Sequence, residues 1–174
     1  MFGLPWLAIS GHHRAINSLG TFECGIQISM ENLNEIQISP DGQTALISGG
    51  TLSKNITDTL WAMGKQTVTG ACECTSLVGP MLGGGHGWLQ GRYGLAADQL
   101  VEARMILANG QLVTVSENSA YKDLFWALKG AGHNFGIVTQ VKYKVYDVPD
   151  GGNLDVCKPY FHAGQAGAGL RPDK

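Results

Sequence analysis

The chain has 174 residues, 44% hydrophobic and 15% charged, which is enough to bury one core and short for two domains. A formal net charge of -2, with Lys and Arg scattered along the chain, leaves no electrostatic footprint for nucleic acid or an anionic membrane, so neither partner is expected. Cys24, Cys72, Cys74 and Cys157 are too few and too unevenly spaced for the disulfide framework of a small secreted domain.

The opening "MFGLPWLAIS" is apolar over only a few residues and runs into "GHHR"; it reads as a strand that begins abruptly, not as a signal peptide or transmembrane helix. In "GIQISM" and "EIQIS", Ile26, Ile28, Ile36 and Ile38 fall on alternate positions. Pro40-Asp41-Gly42 then turns the chain into "TALISGG", so this stretch is expected to form antiparallel strands. From Ser53, expected as an N-cap, Ile56, Leu60 and Met63 recur at helical spacing until Gly64 stops the helix. Asn55-Ile56-Thr57 is a glycosylation triplet of a kind that arises often by chance. "LVEARMILANGQLVTVS" predicts a hairpin turning at Asn109-Gly110, a pair suited to positive φ at both central positions. "SAYKDLFWALKG" places Tyr121, Leu124, Phe125 and Leu128 on one helical stripe that stops at Gly130, and "GIVTQVKYKVYDV" predicts a returning strand. The fold class is α+β with a mainly antiparallel sheet. After Pro149-Asp150-Gly151-Gly152 the composition changes, and residues 150–174 read as a divergent, disordered tail.

Two glycine clusters interrupt these elements. "LVGPMLGGGHGWLQGRYGL" holds Gly83, Gly84, Gly85, His86 and Gly87, and Gly130-Ala131-Gly132-His133-Asn134-Phe135-Gly136 lies between the aromatic helix and the next strand. Glycine permits close approach to the main chain, and backbone amides in such turns form nests for phosphate or carbonyl oxygens. Neither cluster has the G-x-G-x-x-G spacing of a Rossmann turn, and no Gly-Lys-Ser/Thr phosphate loop exists.

Four ordered blocks, "PWLAISGHHRAI", "TGACECTSLVGPMLGGGHGWLQGRYGLAADQL", "MILANGQLVTVSE" and "DLFWALKGAGHNFGIVTQVKYKVYDV", together resemble the FAD-binding (PCMH-type) domain of the vanillyl-alcohol oxidase/p-cresol methylhydroxylase superfamily. The likeness is greatest to fungal berberine-bridge-enzyme-like oxidoreductases and covers about residues 4 to 149. Residues 1–149 are accordingly expected to be a partial domain of that type, with the family's flanking segments missing at both ends.

The resemblance implies FAD as cofactor and a small-molecule substrate, an alcohol, amine or activated C–H compound of secondary metabolism oxidised by hydride transfer to flavin N5. The family's Gly-Gly-His loop falls on Ser10, Gly11, His12 and His13, with His13 matching the histidine bonded to the flavin 8α carbon. Gly70-Ala71-Cys72 fits the segment that supplies a second link at flavin C6, with Cys74 in reserve. Ser76, Gly79, Gly83, Gly84, Gly85, His86, Gly87, Tyr93 and Asp98 match the segment lining the isoalloxazine and pyrophosphate, and Asn134, Gly136, Ile137 and Val138 match the later cofactor strand. His12 departs from the family glycine, where a positive φ would cost about a kcal/mol or more. No catalytic residue is assigned: the family's basic tyrosine has no aligned counterpart among Tyr93, Tyr121, Tyr143, Tyr146 and Tyr160. Missing subdomains would leave apolar surface for self-association or a partner chain. Two other readings stay open, an inactive flavin-domain remnant and a zinc protein, although the C-x-C spacing of Cys72 and Cys74 falls outside the usual zinc pattern and no metal ligand is assigned.

Overall fold

The computed structural model describes residues 6–11 and 25–149, so His12, His13 and the segment 150–174 lie outside the described residues. β1 (Trp6–Ile9) and β2 (Ile26–Ser29) form a parallel pair with Trp6 opposite Ile26. β2 was expected in an antiparallel stretch; its partner is instead the remote β1, reached by a crossover that local alternation cannot reveal. β3 (Ile36–Ile38) and β4 (Thr44–Ser48) do form the expected antiparallel hairpin, turned at Gly42 with φ +65°.

α1 (Ser53–Ala62) buries Ile56 and Leu60 at one-turn spacing and ends at Gly64, whose φ is +69°. Ser53 is the first helical residue and not the cap; the cap position is Leu52, which has no side-chain acceptor. The orphan amides of Ser53 and Lys54 donate instead to the carbonyls of Thr75, at 2.8 Å, and Glu73, at 3.1 Å. A distant loop thus caps this helix. β5 (Lys65–Gln66), α2 (Val78–Met81), α3 (Gln90–Tyr93) and a 3-10 turn (Ala96–Gln99) follow.

β6 (Leu100–Ile106) and β7 (Leu112–Ser116) make the predicted hairpin, but the ladder closes at Ile106 and Leu112. The loop therefore spans residues 107–111, with Gly110 at φ +83° and the Asn109 side chain accepting from the Gln111 amide. α4 (Lys122–Ala131) buries Phe125 and Leu128 and runs into a second 3-10 turn (Gly132–Asn134). β8 (Ile137–Lys144) and β9 (Tyr146–Asp147) complete the described chain, β9 pairing with β5.

The main sheet has strand order β3-β4-β8-β6-β7, antiparallel throughout. One face carries the core: Ala45, Ile47, Ala103, Met105, Val113, Val115, Val138, Val141 and Tyr143 pack with Ile56 and Leu60 of α1, Met81 of α2, and Phe125 and Leu128 of α4. Between the pairs Arg104–Gln140 and Met105–Val138 the register shifts, leaving Thr139 as an extra residue on β8. That bulge lets Val138 and Val141 both face inward despite their odd spacing.

Tyr143 is the largest fully buried side chain among the described residues. Its hydroxyl hydrogen is shared between the carbonyls of Val68 (2.9 Å) and Ala96 (2.7 Å), and burial holds the group protonated far above the ordinary tyrosine range. Tyr143→Phe keeps the ring but leaves two carbonyls without this donor. It should lower unfolding free energy by about 1–3 kcal/mol, read as a lower urea midpoint at unchanged slope; an unchanged midpoint would show that the bond is energetically idle.

Candidate cofactor-binding site

The loops carrying the glycines meet at one end of the core. Ser10, at the end of β1, hydrogen-bonds through its Oγ to Ser76 Oγ at 2.7 Å, and Ser76 Oγ also accepts from the Gly79 amide at 3.3 Å. Gly11 lies flat on the same loop: a Cβ there would sit 3.0 Å from the Ser76 nitrogen and 3.3 Å from the Cys74 oxygen. The later cluster reaches this region from α4. Gly132 packs against Leu82 and donates to its carbonyl at 3.0 Å, and the His133 ring lies beside Gly83.

Within the run 83–87, Gly84 (φ +98°) and Gly85 (φ +73°) occupy the left-handed region that only glycine enters without strain. The carbonyls of Gly84, Gly85 and Gly87 turn inward and accept from the amides of Ala97 (2.8 Å), Ala96 (2.9 Å) and Gln90 (3.1 Å). The amides of Gly85, His86 and Gly87 have no acceptor among the described residues. A row of three donors, with the Gly84, Gly85 and Gly87 carbonyls spent elsewhere, suits a ligand rich in anionic oxygens. Gly87 is also pressed on the carbonyl of Thr69, where any Cβ would collide, and a Cβ at Gly85 would lie 2.6 Å from that of Ala96.

Other residues singled out in the sequence are engaged inside the chain. The Tyr93 ring stacks on Tyr146 with centroids 3.9 Å apart, its hydroxyl accepting from Gln66 Nε2 at 3.1 Å. The Tyr146 hydroxyl donates to Gln99 Oε1 at 2.6 Å, and burial with the neighbouring Tyr93 raises its pKa. The Asp98 carboxylate accepts from the Leu95 amide at 2.8 Å, closing a turn in which Gly94 has φ +85°. His86 is exposed, with Nδ1 2.8 Å from Gln90 Oε1, and Asn134 Nδ2 donates to the Ala131 carbonyl at 3.1 Å. The Val138 side chain is in the core and Ile137 is half-buried, which leaves main chain as what this strand can offer a ligand. Gly136, at φ +151°, packs against the Ile106 carbonyl.

Cys72 and Cys74, anticipated as separate thiols, are joined by a disulfide. Among the described residues no three His, Cys, Asp or Glu side chains converge to hold a metal ion. Two features escaped the sequence reading. Gly49 and Gly50 look like a strand end, yet they admit the carbonyls of Val138 and Met30 where a side chain could not fit. Thr51 Oγ1 and Ser53 Oγ are buried without a partner among the described residues, and Ser53 Oγ faces Gly70. The doubled glycine of "SGGT" was the only signal. Two open hollows, of about 450 Å³ beside Asn55 and about 350 Å³ beside Leu46 and Lys142, share no lining residue with the glycine loops.

Residues 2–116 match the model of the FAD binding domain family. The chain is 56% identical over 146 residues to the FAD-linked oxidoreductase chyH of Penicillium rubens, covering 84% of this chain and 29% of that protein. Among solved structures it superposes on the xylooligosaccharide oxidase of Myceliophthora thermophila with TM-score 0.78 and 33% identity, covering 84% of this chain and 31% of the oxidase. It superposes on the glucooligosaccharide oxidase of Acremonium strictum, described with 6-S-cysteinyl, 8α-N1-histidyl FAD, with TM-score 0.77 and 28% identity over 85% of this chain and 31% of that one. The chain thus spans under a third of the length of these relatives. The row of donor amides in the glycine run and the antiparallel sheet accord with these matches, and the chain belongs to the FAD binding domain family, of the PCMH type found in the vanillyl-alcohol oxidase/p-cresol methylhydroxylase superfamily.

Proposed function

We propose that this chain is the flavin-holding part of an FAD-linked oxidoreductase that oxidises a small secondary metabolite at an alcohol, amine or activated C–H. The observation that carries the reading is the donor row at Gly85, His86 and Gly87, beside which the carbonyls of Gly84, Gly85 and Gly87 are taken by amides of the chain. These amides would hold anionic or carbonyl oxygens of FAD. Ser10, Gly11, Ser76 and Gly79 would form a second wall, and the main chain at Asn134, Gly136, Ile137 and Val138 a third. Bound FAD supplies the acceptance of hydride from substrate; the protein orients it and excludes competing reactions. His13 is proposed as the residue bonded to the flavin 8α carbon and Cys72 as the residue for C6, the two kinds of link named for the glucooligosaccharide oxidase. Tyr93, Tyr143 and Tyr146 have their hydroxyls engaged with Gln66, core carbonyls and Gln99, so none of the three presents a hydroxyl as base to a substrate.

The full chain reconstituted with FAD should keep flavin absorbance in the acid-precipitated pellet, and combining His13→Ala with Cys72→Ser should release all of it. Flavin in the wild-type supernatant would contradict covalent attachment.

Gly87 in the glycine run and Gly91 in the neighbouring α3 give a comparison. Gly87→Ala drives a methyl onto the Thr69 carbonyl and should cost about 1–3 kcal/mol of stability together with weakened flavin binding. Gly91→Ala, exposed with nothing within 4 Å, should change stability by no more than about 0.5 kcal/mol and leave flavin titrations unchanged. Equal effects of the two would count against the close backbone approach as the source of the cradle.

A further inference from the structure

The disulfide between Cys72 and Cys74, with Cα atoms 5.4 Å apart, sits in the loop between the N-terminus of α1 and the Ser10–Gly11 wall of the proposed cofactor site. On one side the carbonyls of Glu73 and Thr75 cap α1; on the other, Gly11 lies against Cys74, Thr75 and Ser76, and Ser10 bonds to Ser76. The Cys72 carbonyl accepts from both the amide (3.3 Å) and the hydroxyl (2.8 Å) of Thr75, which closes the loop on itself. Cys74 is exposed and Cys72 half-buried.

We propose that Cys72 and Cys74 form a thiol–disulfide gate on cofactor attachment, in which the disulfide withholds the Cys72 sulfur from flavin and reduction by a dithiol releases it. The inference rests on the reading that Cys72 borders the flavin. A thiolate is a nucleophile and a disulfide sulfur is not, so the paired state cannot form a bond to flavin carbon. Exposure selects the direction of opening: an incoming dithiol thiolate attacks the Cys74 sulfur, and Cys72 departs as the thiolate. The second thiol of the reductant then closes its own disulfide and frees Cys74. Two electrons and two protons pass from the dithiol to the cysteine pair, one S–S bond breaking as another forms. Attachment itself is a net oxidation, in which Sγ–H and flavin C6–H are replaced by one S–C bond and two electrons and two protons pass to dioxygen as hydrogen peroxide. Reduction therefore both frees the nucleophile and loosens the loop under Gly11.

The test compares the full wild-type chain, Cys74→Ser and Cys72→Ser, each air-oxidised or reduced with dithiothreitol and desalted, then incubated with FAD in air. Mass spectrometry of the tryptic peptide 66–92, which holds both cysteines, is the readout, with Cys74→Ala repeating the Cys74→Ser measurement. The expected result is an unflavinylated peptide two hydrogens light in the air-oxidised wild type. Flavin mass on Cys72 should appear in the reduced wild type and, without any reductant, in Cys74→Ser, and never in Cys72→Ser. Free thiols in the air-oxidised wild type, or equal flavin attachment with and without reductant, would overturn the gate while leaving the cofactor site standing. Flavin that binds by absorbance yet never attaches to Cys72 would also overturn the gate alone. A chain that binds no flavin in any state would overturn the cofactor reading and the gate with it.

Discussion

The hydroxyl of Tyr143 is the point on which the site's geometry turns. It rises from β8 in the middle of the core and meets the carbonyls of Val68 and Ala96. Either carbonyl left buried without a donor would cost on the order of 1–3 kcal/mol, so the two segments are held where one hydrogen can serve both. From Val68 the chain runs through Thr69, on whose carbonyl Gly87 rests, towards the Cys72–Cys74 loop. From Ala96, whose amide donates to Gly85, it runs back to the glycine run. A single strand residue thereby ties the sheet to both sides of the candidate cradle.

The glycines divide the rest of the work. At Gly85 and Gly87 the absence of a Cβ lets the run lie against Ala96 and Thr69. The carbonyls of Gly84, Gly85 and Gly87 then find partners within the fold, whereas the amides of Gly85, His86 and Gly87 find none among the described residues. Gly132 and Gly136 let the chain leaving α4 lie against Leu82 and Ile106, which brings the second cluster beside the first. The aromatic stack of Tyr93 and Tyr146, with the glutamines at 66 and 99, braces the far end of the same loop against β9.

Periodicity was sufficient where the determinant is local. Ile56 and Leu60 mark α1, Phe125 and Leu128 mark α4, and the alternation around Asn109-Gly110 marks the β6–β7 hairpin, all at close to their observed positions. It failed where partners are remote. Nothing in "GIQISM" indicates that its partner is β1, and nothing near Ser53 shows that the carbonyls of Glu73 and Thr75 would cap the helix in place of its side chain. The blocks that carry the family resemblance could be recognised because their glycines record places where backbone meets backbone. What the side chains of Tyr93 and Asp98 do could not be read the same way, since the stack on Tyr146 and the bond to the Leu95 amide depend on a strand end and on a turn geometry set by Gly94.

An anionic flavin cofactor is proposed to lie on the donor amides of the glycine run. Amide hydrogen exchange with and without FAD addresses it directly, because exchange reports each of those amides individually. FAD should slow exchange at Gly85, His86 and Gly87 and at Cys72 to Ser76, while the edge strand β7 is unaffected. Bound flavin with unaltered exchange at Gly85 to Gly87 would contradict that placement.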